Sequence, residues 1–205
     1  VDYLLKDSSI RLHNFAFPSA TMEDDLLGQL SRFFARFPKK SPANPIPILD
    51  PNETIYVLFL DINDCGRISS EELEPIVEVL FDAVHDLYVK AGARNFVLVD
   101  VPPIDRSPSA VDSSDEVQNR VETWNDLLRT RASEFATSSP QATVLVFSSH
   151  KVLTDVLDDP LEYDFTEDDP ADEGGAIWED DLHLTPAVHA ILADRLLASL
   201  KTEDQ

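Results

Sequence analysis

Apolar residues along this chain follow two rhythms, short unbroken runs and three-and-four spacings, and the two alternate. The clearest run opens IYVLFLDINDCG, Ile55 to Gly66, where six apolar residues lead into Asp61, Asn63 and Asp64. β-Branched and aromatic residues bounded by Pro51-Asn52 and Gly66 predict a central strand covered on both faces. Ligands of open α/β sheets sit outside the carboxyl ends of such strands, so Asn63 and Asp64 stand where chemistry is expected.

Before this run, Ile10 to Phe17 (IRLHNFAF) reads as a short strand closed by Pro18 and Ser19. From Met22 a helix is predicted, with Leu26, Leu27, Leu30, Phe33, Phe34 and Phe37 on one face and Glu23, Asp24 and Asp25 at its positive end. Pro38, Pro42, Pro45, Pro47 and Pro51 make the next segment a rigid surface connection. Beyond the central run, Leu73, Ile76, Val77, Leu80, Val84 and Leu87 mark an amphipathic helix, with Pro75 in its first turns and Gly92 near its end.

Asn95 to Val101 is another apolar strand, stopped by Pro102-Pro103. A loop, IDRSPSAVDSSDE, leads to a helix through Val117, Val121, Trp124, Leu127, Leu128 and Phe135. Ala142 to Phe147 is the last strand. Asp155 to Glu173 reads as an acidic, solvated loop closed by Gly174-Gly175, and a C-terminal helix runs from Pro186 to about Leu200, carrying Val188, Ile191, Leu192, Leu196 and Leu200 inward. Strand and helix alternate throughout, which predicts a doubly wound α/β fold with a mostly parallel sheet.

Composition narrows the function. A chain of 205 residues, 43% of them hydrophobic, can bury one good core, so residues 1–205 are expected to form one domain. No run approaches the eighteen or so apolar residues of a membrane span. The formal net charge of -23 opposes nucleic acid or an anionic membrane as partner. Cys65, the single cysteine, cannot make an internal disulfide. Val1 is neither an initiator Met nor the start of a signal-peptide pattern, so a trimmed or fragmentary chain is expected. Secretion follows if a signal peptide has been lost, and a cytoplasmic site if the chain is complete. The Asn52-Glu53-Thr54 sequon matters only in the first case.

Of five histidines, His183 stands out, with Asp180 three residues before it in Trp178-Glu179-Asp180-Asp181-Leu182-His183. A carboxylate three residues before a histidine can bind one ring nitrogen and leave the other to act as a base. His85 lies within a helix of ordinary composition, and His13 and His189 have no acidic neighbour at useful spacing, so a packed or exposed histidine is expected at these three.

Four stretches together resemble a known family. LHNFAFPSAT, LFLDINDCG, ARNFVLVDVPPIDRSP and IWEDDLHLTPAVH look like successive blocks of the SGNH, or GDSL-type, hydrolases, especially the fungal acetylesterases of the carbohydrate-esterase class. The resemblance implies a three-layer α/β/α, flavodoxin-like sandwich. It makes Asp180 and His183 the family's Asp-x-x-His pair, and Asn63 and Ser19 the oxyanion-hole positions. It also implies a carboxylic-ester hydrolase acting on small-molecule or carbohydrate acyl esters, with no cofactor and no metal.

The chain departs from that pattern near the oxyanion. The family's Gly-Asp-Ser strand, which supplies the nucleophile and sits mid-sheet, has no counterpart: Asp7-Ser8-Ser9 follows no apolar strand, so the nucleophile is unknown and the first strand is expected to be lacking. Ser19 stands at the second-block glycine and Asp61 at the third-block glycine. A carboxylate about 4 Å from a developing oxyanion costs roughly 4 kcal/mol at an effective dielectric of 20, close to a thousandfold in rate, unless it points away or is protonated. The alternative is therefore a non-catalytic relative that retains a binding cleft. A minor reading places an EF-hand calcium loop over residues 61–72, through Asp61, Asn63, Cys65, Gly66, Ile68 and Glu72, although the run before it is β-like where a helix is required.

Overall fold

The structure, a computed structural model, describes residues 10–38 and 49–202. Asp7-Ser8-Ser9 and most of the proline-rich segment lie outside them. The chain groups into two compact units: Asn14–Asp100 with Glu122–Val146, and Val1–His13, Val101–Val121 and Phe147–Gln205.

The first of these holds the sheet. Three strands, β1 (Ile55–Leu58), β2 (Asn95–Val99) and β3 (Thr143–Phe147), lie in the order β1-β2-β3, and the sheet is parallel. β1 and β2 pair Ile55 with Asn95 through Leu58 with Leu98. The α/β class expected from the alternation of strands and helices is the class observed.

Helix α1 (Met22–Arg36) forms where its signals put it. Thr21 is the N-cap, its hydroxyl accepting from the Asp24 N–H, while the Asp25 carboxylate accepts from the Thr21 N–H at 3.0 Å. These reciprocal bonds satisfy donors a helix start otherwise leaves open. Met22, Leu26, Leu30 and Phe33 are buried, and α1 packs against α3 (Leu73–Asp86). The latter continues as a wider turn over Leu87–Ala91 and stops at Gly92, whose φ of 75° supplies the left-handed cap. Phe96 of β2 sits edge-on to Phe135 of α4 (Ser114–Ser138) at 5.6 Å and beside Tyr56 of β1 at 5.8 Å. Phe33 of α1 meets Tyr56 at 5.7 Å.

Several expectations need correction. Ile10 to Phe17 forms no strand: a strand needs a ladder partner, and among the described residues none pairs with it. Phe15 instead packs edge-on to Phe33, and the Arg32 guanidinium covers the Phe17 ring. β1 is not covered on both faces. It lies at an edge of the sheet among the described residues, leaving Ile55 47% and Val57 50% exposed. The polar cluster after it is no strand-end loop, because Ile62–Arg67 closes into a short helix, α2.

In the other unit, α5 (Ser149–Asp158) occupies the start of the expected acidic loop. Ser148 caps it, accepting from the Lys151 N–H, and Leu153, Val156 and Leu157 form its buried stripe. The remainder of the loop is not simply solvated. Asp169 is buried and accepts from the Thr166 N–H, the Thr166 hydroxyl and the Ala176 N–H, bonds that hold its carboxyl below the usual range. α6 (Pro186–Thr202) closes this unit and packs against α5. No helix among the described residues is long and apolar enough to cross a membrane.

Phe96 and Val57 test this account of the sheet. Phe96→Ala should destabilise by about 3–5 kcal/mol, as for a fully packed aromatic. Val57→Ala should cost about 1 kcal/mol or less, because half of that side chain already meets water. Urea midpoints at constant slope check both, and a large loss at Val57 would show that β1 is covered.

Candidate active site

Two groups of candidate residues belong to different units. The first lies around α2. The Asn63 amide donates to the Ala20 carbonyl at 3.0 Å, and the Met22 N–H donates to both Asp64 oxygens at 3.1 and 3.2 Å. These bonds join residues 42 and 43 positions apart and hold the Pro18-Ser19 turn beside α2. Ser19 has φ 57°, the left-handed region where a side chain costs roughly 1–2 kcal/mol and glycine none. Its backbone therefore has a conformation that glycine adopts without cost.

Between the turn and the strand end lies a shallow cleft of about 120 Å³, lined by Ala16, Phe17, Phe59, Asp61, Ile62 and Asn63. Asp61 begins α2 without closing a side-chain cap bond, although the Ile62 N–H is near enough to favour its charged form slightly. The carboxyl is instead 4% exposed, its Oδ1 has no hydrogen-bond partner, and the Trp124 indole N–H is equally buried and unpartnered. That N–H is close enough to favour the charged form of Asp61 somewhat, but no hydrogen bond closes between them. Burial, then the charges of Asp100 and Asp64, push Asp61 well above the usual carboxylate range. Asp64 is fully buried as well, and burial raises it to about 6 against the pull of the Met22 N–H.

The sequence did not single out Asp100, and it marked Trp124 only as an apolar position of its helix. The signal available was a lone acid inside NFVLVDV, and Asp100 is fully buried there with Arg129 Nη1 3.9 Å away. The EF-hand reading is overturned here. The segment before Asp61 is the strand β1, and residues 62–67 are helical where an ion-binding loop would have to wrap. Glu72, the intended bidentate ligand, accepts from the Ser69 hydroxyl. Among the described residues, no group of three or more His, Cys, Asp or Glu could hold a metal ion.

The second group sits in a tight loop before α6. Trp178 and Leu184 form an antiparallel bridge, the Glu179 N–H donates to the His183 carbonyl at 2.7 Å, and the Thr185 N–H donates to Ile177. Ile177 and Trp178 are fully buried, and the Trp178 indole donates to the Pro170 carbonyl. At the tip, Asp180 Oδ1 accepts from the Leu182 and His183 N–H groups at 2.9 and 2.6 Å, while Oδ2 lies 2.7 Å from His183 Nδ1. The two backbone donors and the imidazole hold the Asp180 carboxyl down at about 2. An ionised carboxylate can only accept, so Nδ1 carries the proton, and in the neutral ring Nε2 keeps its lone pair. Both side chains are open to solvent, 49% and 76% exposed.

Comparisons with known proteins follow this geometry. A family model described as GDSL-like Lipase/Acylhydrolase matches residues 1–196. An acetylesterase of Thermothelomyces thermophilus is 26% identical over 189 residues. That match covers 86% of this chain but 60% of the relative, so the chain spans less than two thirds of the relative's length.

Two titrations check these assignments. Asp180, with its carboxyl depressed to about 2, contributes stability present above its unfolded value near 4 and lost as pH falls through about 2. Carboxyl-carbon NMR should find its midpoint about 2, and a midpoint near 4 would mean the loop is open in solution. Asp64 has the opposite sign. Its raised value favours the protonated folded form, so its contribution is complete below about pH 4 and is lost as pH rises through about 6. Thermal unfolding across this range should show stability falling with pH, and Asp64→Asn should remove much of the slope.

Proposed function

The chain belongs to the GDSL-like lipase/acylhydrolase family, and on that premise we propose that it serves the hydrolysis of carboxylic esters carrying acetyl or other short acyl groups. The observation that carries this reading is the 2.7 Å contact between Asp180 and His183, which leaves Nε2 free as a base. In the proposed reaction His183 Nε2 takes the proton of a serine hydroxyl as it attacks the ester carbonyl, and later returns it to the leaving alcohol. Asp180, ionised, stabilises the imidazolium formed in between. The second amide hydrogen of Asn63 and the Ser19 N–H are the proposed oxyanion donors.

No serine of this chain is assigned as the nucleophile. A second reading, a non-catalytic relative with a retained cleft, is favoured by Asp61 and Ser19 at the glycine positions. The similarity to an acetylesterase supports an acyl ester as ligand in either case, of a small molecule or a carbohydrate.

Residues 1–205 should therefore show no saturable hydrolysis of p-nitrophenyl acetate above a His183→Ala control, since triad enzymes lacking the serine keep only about a thousandfold to ten-thousandfold over water. A burst of product with a stable acyl adduct on any serine would overturn the missing nucleophile and identify it. A longer form that supplies a Gly-Asp-Ser strand should hydrolyse the same ester and lose about a hundredfold or more with His183→Ala. If that form is inert although folded, the non-catalytic reading holds.

A further inference from the structure

The buried carboxyl at Asp61 has no role in the mechanism above, and its surroundings leave it one stable state. It lines the cleft next to Asn63, it is almost wholly removed from water, and one oxygen has no partner. Two further carboxyls, Asp64 on the same short helix and Asp100 at the end of β2, are fully buried and add like charge. Arg129 of α4 lies 3.9 Å from Asp100. Arg67 acts on Asp64, against Glu23 of α1. The Trp124 indole and the Ile62 N–H face Asp61 and pull weakly toward its charged form, yet its Oδ1 is left without a hydrogen bond. A buried carboxylate with neither cation nor full hydrogen bonding takes up a proton in preference to holding its charge.

We propose that Asp61 stands in the cleft as a neutral carboxylic acid and gives its O–H to the carbonyl oxygen of the bound acyl ester, beside the Asn63 amide. This deepens the hydrolase reading and rests on it. A neutral acid here reverses the consequence of losing a glycine: the repulsion of a carboxylate is replaced by a donor, as a protonated acid in an apolar site can supply. The cleft then takes a neutral carbonyl group, an ester or an amide, and disfavours a free carboxylate, whose charge would meet Asp64 and Asp100 behind the neutral Asp61. Product acid formed in the cleft is expelled for the same reason.

The test uses the intact chain, carbon-13 labelled at aspartate, with acetamide as the carbonyl probe and acetate as its charged counterpart. At pH 7 the Asp61 carboxyl carbon should resonate in the protonated position, while exposed carboxylates titrate near 4. Acetamide should shift the Asp61 and Asn63 side-chain signals, and acetate should not. Asp61→Asn, a neutral donor of the same shape, should bind acetamide within about threefold of the parent, and Asp61→Ala about tenfold more weakly, the worth of one hydrogen bond. Titration of Asp61 together with the exposed carboxylates, or equal acetamide binding by Asp61→Ala, would overturn the proposal. Circular dichroism of both variants separates lost binding from lost folding, and Asp61→Asn carries the test if Asp61→Ala does not fold. Failure of the longer, serine-bearing form to hydrolyse ester, with the Asp61 signal still protonated, would sink the hydrolase reading alone.

Discussion

One buried carboxylate ties the sheet unit's functional surface together. Asp64 receives the Met22 N–H on both oxygens, so the first residue of α1 and the middle of α2 are locked to each other although far apart in sequence. The Asn63 bond to Ala20 adds a second stitch one residue away. With the two in place, the Pro18-Ser19 turn has no freedom to swing off the strand end, and the cleft has a floor. Removing Asp64 would release both walls at once, which is why a group so costly to bury is present in the interior.

The base is built on a different plan. Asp180 and His183 are three residues apart, held by backbone bonds within a single loop whose base is pinned by Ile177 and Trp178. Its geometry needs no long-range packing at the tip, so the dyad can be exposed and still ordered. The cleft depends on contacts between distant segments, and its acids are consequently shut away from water.

That contrast explains what the sequence disclosed. The Asp180–His183 spacing was legible because the contact is local, and α1, α3, α4 and α6 were legible because their apolar residues recur at helical spacing over many residues. Ile62–Arg67 has six residues and no such period, so α2 was invisible. α5 carried a readable stripe in Leu153, Val156 and Leu157, but the surrounding acids suggested a loop. The exposure of β1 could not be read at all, because an apolar run states what its residues prefer and not which neighbours exist. The grouping of Asp61, Asp64, Asp100 and Trp124 was equally hidden, since residues on two helices and a strand end meet only once the chain has folded.

The open side of β1 bears on how the molecule behaves in quantity. Ile55 and Val57 of this strand, an edge among the described residues, and Phe59 just beyond its end present a greasy surface of the kind along which copies can associate. A formal net charge of -23 opposes such contact between copies at neutral pH. That protection vanishes near the isoelectric point of 4.3, while the greasy surface is unchanged by acid. Colloidal stability and fold stability therefore pull toward opposite ends of the pH scale: the buried acids are most comfortable in mild acid, where the surface is least able to hold neighbours at a distance.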